Sequence, residues 1–478
     1  MDITSLQFLF LFLPVFCILY AICKKQVRLL LITVASLVFL AWGNGWAGLW
    51  LIFILLISYS IGLALSGDVT RKALWVWLGI GINLLVLFVF KWEASYQMDW
   101  VKSLGFPGRL QSPSTNLIIP IGISFVTFQA ISYLVDVRRG TLLAERSLIR
   151  FAAYLLFFPK LVSGPIMRYG AFQKQLDDLS PSADMIAAGI RRVFIGFIKR
   201  ALIANQIGVW SDAVFNLTQP AITPSFAWLA IVAYTMQIYF DFAGYTDMAI
   251  GLGQMIGIQL PENFNYPYIA RSVSDFWRRW HISLTAWFRE YVFYPLERRR
   301  FRWSNLQLNI LIVFLLTGLW HGLKPTFIAW GLLHGLFLAI ESLGFGRWLG
   351  RLWRPLQHVY AMSIVMAGWV LFRSPSLDFA ALFFRRLAGD TTGVTLLPFS
   401  LTSPFPFLDL TVLLALLAAI FFSFPVGQLF QPKGIVPGAA QAPLVVQAGV
   451  DMLLILLFVL GLAASLSQAF LPNIYASF

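Results

Sequence analysis

The stretch LLLITVASLVFLAWGNGWAGLWLIFILLISYSIGLALSG, residues 29–67, contains no charged side chain. A helix needs about 20 apolar residues to cross the hydrocarbon core of a bilayer, so this stretch is long enough for two crossings. Gly43, Asn44 and Gly45 interrupt it near the middle, where a tight turn is expected. The stretch therefore predicts two membrane-spanning helices.

The composition of the whole chain supports this interpretation. Of the 478 residues, 59% are hydrophobic and 12% are charged, and the mean hydropathy is +0.77. Soluble proteins carry roughly 25% charged residues, so a soluble enzyme, a disordered chain and a disulfide-rich secreted domain are all excluded. We predict an all-α polytopic membrane protein with about eleven crossings and one membrane domain over residues 1–478. Further apolar runs cover residues 3–23, 73–90, 117–135, 213–240, 303–323, 325–340 and 355–372.

The net charge of +14 indicates membrane sidedness and does not point to nucleic acid. Basic residues cluster at 24–28, at 71–72 and at 138–150, and the positive-inside rule places such loops in the cytoplasm. The N-terminus and the polar stretch 91–116 are then expected outside. Short apolar pieces between 151 and 198 are too short to span and predict interfacial or re-entrant helices.

The segment 271–302 combines eight arginines with many aromatic residues. From Trp277 to Tyr291 the aromatic residues follow helical spacing, which predicts one amphipathic helix at the cytoplasmic surface. Its arginines, Arg278 among them, are suited to lipid headgroups and equally to the phosphates of an anionic cofactor such as coenzyme A. His281 lies on the apolar stripe and does not fit the role of a surface anchor.

The motif TGLWHG, residues 317–322, closes an apolar run with a histidine. An ionisable group within a membrane segment is costly and marks a candidate functional site. Histidine is also the natural general base near neutral pH. The alternative for His321 is a buried histidine bonded to a neighbouring carbonyl, and position alone does not separate it from His334 and His358. Gly318 and Gly322 leave room on one face for a substrate or for another helix.

The motif YFDFAGYTD, residues 239–247, places Asp241 and Asp247 at the end of a long apolar run. These carboxylates are candidates for a polar site or for salt bridges to the arginines. The structural alternative is a helix terminus with paired acids. Two aspartates without a nearby histidine are a weak metal signal, and no metal site is predicted. The only two cysteines, Cys17 and Cys23, lie in the first apolar segment and predict neither a disulfide nor a zinc site.

Three strings between residues 237 and 323 resemble the bacterial branch of the membrane-bound O-acyltransferase (MBOAT) family, to which alginate O-acetyltransferases belong. They are QIYFDFAGYTDMAIGLG (237–253), ENFNYPYIARSVSDFWRRWHISLTAWFREYVFYPL (262–296) and TGLWHG (317–322), in the family's order and spacing. The strings at 120–140 and 157–169 extend the resemblance upstream. The resemblance implies a ring of tilted helices with interfacial or re-entrant helices around a central tunnel.

The same resemblance implies transfer of an acyl group, here acetyl, from a cytoplasmic thioester donor such as acetyl-CoA toward a hydroxyl acceptor. The family's motif histidine corresponds to His321, the expected general base, and its second histidine corresponds to His281, which positions a substrate or stabilises developing charge. We predict Trp320, Trp280, Arg278 and Asp241 as substrate-binding residues. No bound cofactor is expected.

The resemblance also indicates a setting. It implies the inner or plasma membrane of a bacterium, contact with membrane lipid, and an extracytoplasmic partner, either an SGNH-type acetyltransferase or another polysaccharide-modifying protein.

Two departures leave the polymer and the partner open. Glu297 to Arg300 stand where the alginate enzymes usually have Gly-Gly, and the tail at 472–478 only loosely matches their aromatic tail. A transporter or flippase of acyl groups or lipid-linked intermediates is the alternative function. Such a protein is expected to carry broken helices in corresponding halves, whereas this chain concentrates its polar motifs at 237–323.

Overall fold

The computed structural model describes residues 2–66, 71–95, 119–299, 305–395, 409–426 and 444–467. Within these ranges the regular secondary structure is helical, with α-helices joined by short 3₁₀- and π-helical segments. The all-α prediction is therefore confirmed. Most of the polar stretch 91–116, together with Arg300, Arg302 and the tail at 472–478, lies outside the described residues.

The chain divides into two compact units. Unit 1 comprises Met1–Val193, Tyr245–Glu262 and Ala286–Val292, and unit 2 comprises Phe194–Gly244, Asn263–Thr285 and Phe293–Phe478. The single membrane domain expected from the sequence stays a prediction. In chain order the α-helices are α1 (Leu13–Ile22), α2 (Lys25–Asn44), α3 (Gly48–Ser66), α4 (Lys72–Ser95), α5 (Ile123–Arg139), α6 (Leu148–Leu155), α7 (Tyr169–Gln173), α8 (Ala183–Ile198), α9 (Asn205–Phe215), α10 (Pro224–Ile256), α11 (Val273–Arg279), α12 (Ile282–Phe288), α13 (Tyr294–Arg299), α14 (Leu306–His321), α15 (Pro325–Ile340), α16 (Gly346–Leu349), α17 (Arg354–Arg373), α18 (Leu377–Leu387), α19 (Leu410–Phe422) and α20 (Leu444–Ser467).

Apolar helices long enough to cross a membrane recur along the described part of the chain. The turn predicted at Gly43 to Gly45 is present, because α2 ends at Asn44 and Gly45 has a φ of +52°. The protein is thus a multi-pass membrane protein, while the predicted number of crossings and their sidedness stay predictions. The six long stretches are Lys25–Ser66, Lys72–Trp92, Pro224–Ile256, Pro325–Leu349, Arg354–Arg373 and Val445–Ser467, and three shorter apolar helices cover Phe8–Ile22, Leu306–His321 and Leu410–Phe422.

Unit 1 has an aromatic core around Phe158. The rings of Phe12 and Phe16 stand edge-on to it with centroids 5.3 and 5.2 Å away. None of the predicted catalytic or substrate-binding residues belongs to this unit.

In unit 2, helices α14 and α15 form a hairpin with backbone against backbone. A Cβ atom on Gly318 would stand 2.5 Å from the carbonyl oxygen of Phe327, and one on Gly331 would stand 2.3 Å from that of Phe314. Small residues permit this approach, as is common where helices pack in membranes. The space that the sequence left open beside Gly318 is therefore filled by a second helix. The hairpin fixes His321, the last residue of α14, against the start of α15.

The single amphipathic helix expected from Trp277 to Tyr291 is wrong. Helix α11 ends at Arg279, Trp280 is extended, and α12 begins only at Ile282. His281 lies between the two helices and has a φ of +44°. This is the left-handed region of backbone conformation, which residues other than glycine rarely adopt. The aromatic spacing therefore reported burial correctly but could not report a change of direction in the backbone.

Candidate active site

His321 lies almost fully buried at the C-terminal end of α14, surrounded by aromatic rings. Its ring centroid is 4.6 Å from that of Trp320 and 5.0 Å from that of Trp330, which stands perpendicular to it. Phe372 of α17 stands edge-on at 4.9 Å. An imidazole among such rings is shielded from bulk water while its orientation is fixed by packing on several sides.

The helix end gives this position an electrostatic bias. The last turn of a helix carries unsatisfied carbonyl groups and a partial negative charge. A positive charge there is favoured, typically by about 0.3–1 kcal/mol and by more where water is scarce. His321 is the only basic residue in the last turn of α14. The helix therefore presents its partially negative end to His321.

His281 is the second buried histidine, with only 1% of its surface exposed. Burial lowers its pKa to about 3, so the ring is neutral near pH 7. Its Nδ1 lies 3.1 Å from Oδ1 of Asn263, and its ring packs edge-on against Phe242 at 4.7 Å. A neutral imidazole can accept or donate a hydrogen bond, depending on which nitrogen carries the hydrogen.

Trp320 connects the two histidines. Its indole ring lies 4.6 Å from the ring of His321 and 6.4 Å from the ring of His281, centroid to centroid. The structure thus brings together three of the residues singled out from the sequence, all within unit 2. Trp320 also belongs to the motif at 317–322, whereas His281 precedes α12, and both α12 and α13 lie between it and α14.

The other three predicted substrate-binding residues have different surroundings. Trp280 is a core residue, 4.9 Å from Trp369 between ring centroids. Arg278 has 70% of its side-chain surface exposed, and its guanidinium nitrogen Nη2 lies 3.6 Å from the carboxylate oxygen Oδ1 of Asp275. Asp241 is buried and accepts a hydrogen bond of 2.8 Å from Nε of Arg200. Contact of these side chains with a substrate stays a prediction.

Asp241 illustrates one of the alternatives left by the sequence. Its partner Arg200 is fully buried and lies in the π-helical segment Lys199–Ala204, which follows α8. Two buried charges of opposite sign stabilise each other, and each is costly without the other. Among the roles that the sequence left open for Asp241, the geometry therefore favours a salt bridge.

Several residues of the site carried no recognised signal in the sequence. Asn263 stands in the quoted string at 262–296, but nothing marked it as a partner of His281. Trp330 and Phe372 resemble ordinary core residues of apolar helices. Their position beside His321 depends on the packing of α15 against α14 and of α17 against α15, which local patterns do not report.

His334 and His358 have hydrogen-bonding partners of their own. Nδ1 of His334 accepts a hydrogen bond of 3.4 Å from Nε1 of Trp277, and Nδ1 of His358 lies 3.2 Å from the carbonyl oxygen of Ala270. In the described part of the chain, no group of three or more His, Cys, Asp or Glu side chains is placed to hold a metal ion.

These contacts predict that His334→Gln and His358→Gln each keep a substantial part of the acyl-transfer activity. Glutamine offers a carbonyl that can accept from Trp277 and an amide that can donate to the carbonyl of Ala270, so both hydrogen bonds are replaceable. Initial rates of the purified variants, compared at equal amounts of folded protein, test this. Complete loss at normal expression in either variant would mean that this histidine takes part in the chemistry.

Two buried histidines thus lie near one indole ring in a multi-pass membrane protein, and imidazole is the side chain best suited to acid–base chemistry near neutral pH. Sequence comparison identifies the class of enzyme. The profile of the membrane-bound O-acyltransferase family matches residues 141–348, which include His281 and His321. The chain belongs to this family and is an O-acyltransferase.

Its relatives act on different polymers. The probable alginate O-acetylase of Azotobacter vinelandii is 42% identical over 385 residues, covering 80% of this chain and 76% of the relative. The peptidoglycan O-acetyltransferase of Helicobacter pylori is 31% identical over 428 residues, with 81% and 80% covered. The teichoic acid D-alanyltransferase of Bacillus subtilis is 36% identical over 249 residues, 49% of this chain and 62% of the relative.

Proposed function

We propose that this protein transfers acetyl groups from a cytoplasmic thioester, such as acetyl-CoA, toward hydroxyl groups of a polysaccharide outside the bacterial plasma membrane. Two relatives named for O-acetylation, one of alginate and one of peptidoglycan, support acetyl as the group and a polysaccharide as its destination. In this proposal the thioester is a co-substrate, and no bound cofactor takes part. An extracytoplasmic SGNH-type acetyltransferase or another polysaccharide-modifying protein is the expected partner.

The observation that carries the proposal is the placement of His321. It is the one histidine that ends an apolar helix, is buried among aromatic rings, and shares Trp320 with a second buried histidine. A general base must reach the proton it removes and must tolerate the charge it acquires. The helix C-terminus supports the second requirement.

The transfer step follows from this chemistry. The oxygen of the acceptor hydroxyl attacks the thioester carbonyl carbon while an imidazole nitrogen of His321 takes the hydroxyl proton. The carbonyl π electrons move to oxygen and return as the carbon–sulfur bond breaks. The leaving thiolate then takes the proton from the imidazolium, so that an ester and a free thiol are formed and His321 is neutral again.

The aromatic surroundings have a role in this scheme. Water competes with the acceptor for the thioester, and excluding it suppresses hydrolysis. Trp320, Trp330, Phe327 and Phe372 present apolar ring surface to His321.

The proposal predicts that the purified protein in detergent releases thiol from acetyl-CoA. Thiol appearance is followed with a chromogenic disulfide, and a His321→Ala preparation made in parallel serves as the blank. Release above this blank is expected, and it should rise when a hydroxyl-bearing oligosaccharide is added. Equal rates in both preparations would favour the transporter alternative, which needs no transfer chemistry.

A further inference from the structure

The loop that precedes α11 is hydrogen-bonded to the break between α11 and α12. The backbone N–H of Asn265 donates to the carbonyl oxygen of Arg279, with a distance of 3.0 Å between nitrogen and oxygen. The backbone N–H of Ile282 donates to the backbone carbonyl oxygen of Asn263 at the same distance of 3.0 Å. These two bonds lie on either side of His281 in the sequence. They fix the main chain of Asn263 next to the histidine and help to hold His281 in its left-handed conformation.

A residue other than glycine is strained in this conformation and persists in it only where its surroundings determine it. Such strain is concentrated at functional sites more often than elsewhere. The loop at Asn263 is part of the surroundings that determine the conformation of His281. The side-chain carboxamide of Asn263 also contacts the ring of His281 directly.

The orientation of this carboxamide is determined by Ser283. The backbone N–H of Ser283 lies 3.2 Å from Oδ1 of Asn263, and the hydroxyl of Ser283 lies 2.9 Å from the same atom. A backbone N–H only donates, so the atom that faces it must be the carbonyl oxygen and not the amide nitrogen. Flipping the amide would bring two donors together.

The same oxygen determines the tautomer of His281. Oδ1 of Asn263 lies 3.1 Å from Nδ1 of His281. An oxygen that only accepts requires a hydrogen on its partner, because two lone pairs at this distance repel each other. Nδ1 therefore carries the hydrogen. Since the buried ring is neutral, Nε2 carries the lone pair.

We propose that Asn263 is a positioning residue for His281: its side-chain carbonyl keeps the ring hydrogen on Nδ1 and leaves Nε2 as the atom that accepts a hydrogen bond from a substrate. The substrate group is then a donor, such as the hydroxyl of the acceptor. A ring nitrogen without hydrogen cannot stabilise a developing oxyanion. Of the two roles open to His281, orienting a hydroxyl is therefore assigned, and stabilising negative charge is not.

The catalytic part of this inference rests on the proposed acyl transfer, but the tautomer can be measured without it. The chain has only four histidines, so a sample labelled with ¹⁵N in the histidine rings gives few signals. Comparison with His281→Gln assigns the signals of His281. In the wild-type protein we expect a protonated Nδ1 and an unprotonated Nε2. A hydrogen on Nε2 would overturn the inference, and this measurement needs no variant at Asn263.

Variants of Asn263 test its role. In Asn263→Ala we expect the hydrogen of His281 to occupy both ring nitrogens. We expect kcat to fall by roughly 10- to 100-fold, the range seen for residues that orient metal-bound histidines, with little change in KM for acetyl-CoA. Asn263→Asp keeps an acceptor oxygen and should restore the Nδ1–H form. A fall in kcat with an unchanged tautomer would show that Asn263 is merely structural.

Ser283→Ala is the matched control. It removes one hydrogen bond to the same oxygen but leaves the backbone N–H of Ser283, which is sufficient to orient the carboxamide. We expect its His281 signals and its kcat to stay close to wild type. If wild-type protein shows the Nδ1–H form but releases no thiol from acetyl-CoA, the proposed function fails while the tautomer assignment stands.

Discussion

His321→Ala is expected to lower acetyl transfer by roughly 10²–10⁴-fold, the usual contribution of a general base. The loss should appear in kcat, because alanine removes the group that takes the hydroxyl proton and leaves the donor's other contacts in place. Transfer is measured as thiol release and as labelled acetyl in the acceptor, using protein purified in detergent and matched for folded amount.

Two further variants sharpen this test. His321→Gln preserves most of the side-chain volume within the aromatic surroundings and should be as inactive as the alanine variant, which separates loss of the base from loss of packing. His281→Ala should impair transfer less, because water can partly replace a group that only orients. Near-normal transfer by His321→Gln would show that His321 is structural, bonded in place like His334.

The second large effect concerns stability. Arg200→Met is expected to cost about 3–5 kcal/mol, because it leaves the carboxylate of Asp241 buried without its guanidinium partner. Asp241→Leu should be similarly harmful. The double variant should regain most of the stability, since replacing both members of a buried ion pair with apolar residues is often neutral. The stability of the two single variants and of the double variant is measured by heating each in detergent and following the loss of folded protein by size-exclusion chromatography.

The same double variant decides what Asp241 does. If the ion pair only supports the fold, the double variant transfers acetyl groups at close to the normal rate. If it folds but transfers nothing, Asp241 or Arg200 contributes to substrate binding, as the sequence had suggested for Asp241. An unstable double variant would contradict the view that the pair is replaceable.

The sequence predicted the features that depend on composition and local order. A charge of 12% with long apolar runs is sufficient to define an all-α membrane protein. His321 and His281 were found because a histidine in an apolar segment is unusual, and because the motifs around both resemble those of one family. These signals lie within short stretches of the chain.

Other features were not predictable because they depend on contacts between distant segments. Nothing in the string around His281 indicates a φ of +44°, since histidine adopts the left-handed region more often than most residues but still only rarely. The role of Asn263 depends on two hydrogen bonds between backbone segments that no helical or strand period describes. Asp241 was noticed as a carboxylate at the end of an apolar run, but its partner Arg200 lies in a π-helical segment whose position only the fold determines.

The glycine contacts between α14 and α15 limit how the enzyme can be redesigned for larger acyl groups. Two helices whose backbones already touch at Gly318 and Gly331 cannot be moved closer, and any side chain added there would separate them and displace His321. Extra space beside His321, the proposed base, would therefore come from trimming rings outside this contact, such as Phe372 on α17. Because Phe372 is also one of the rings that hold His321 in its orientation, room for a longer acyl chain and the position of this histidine are coupled and would have to be redesigned together.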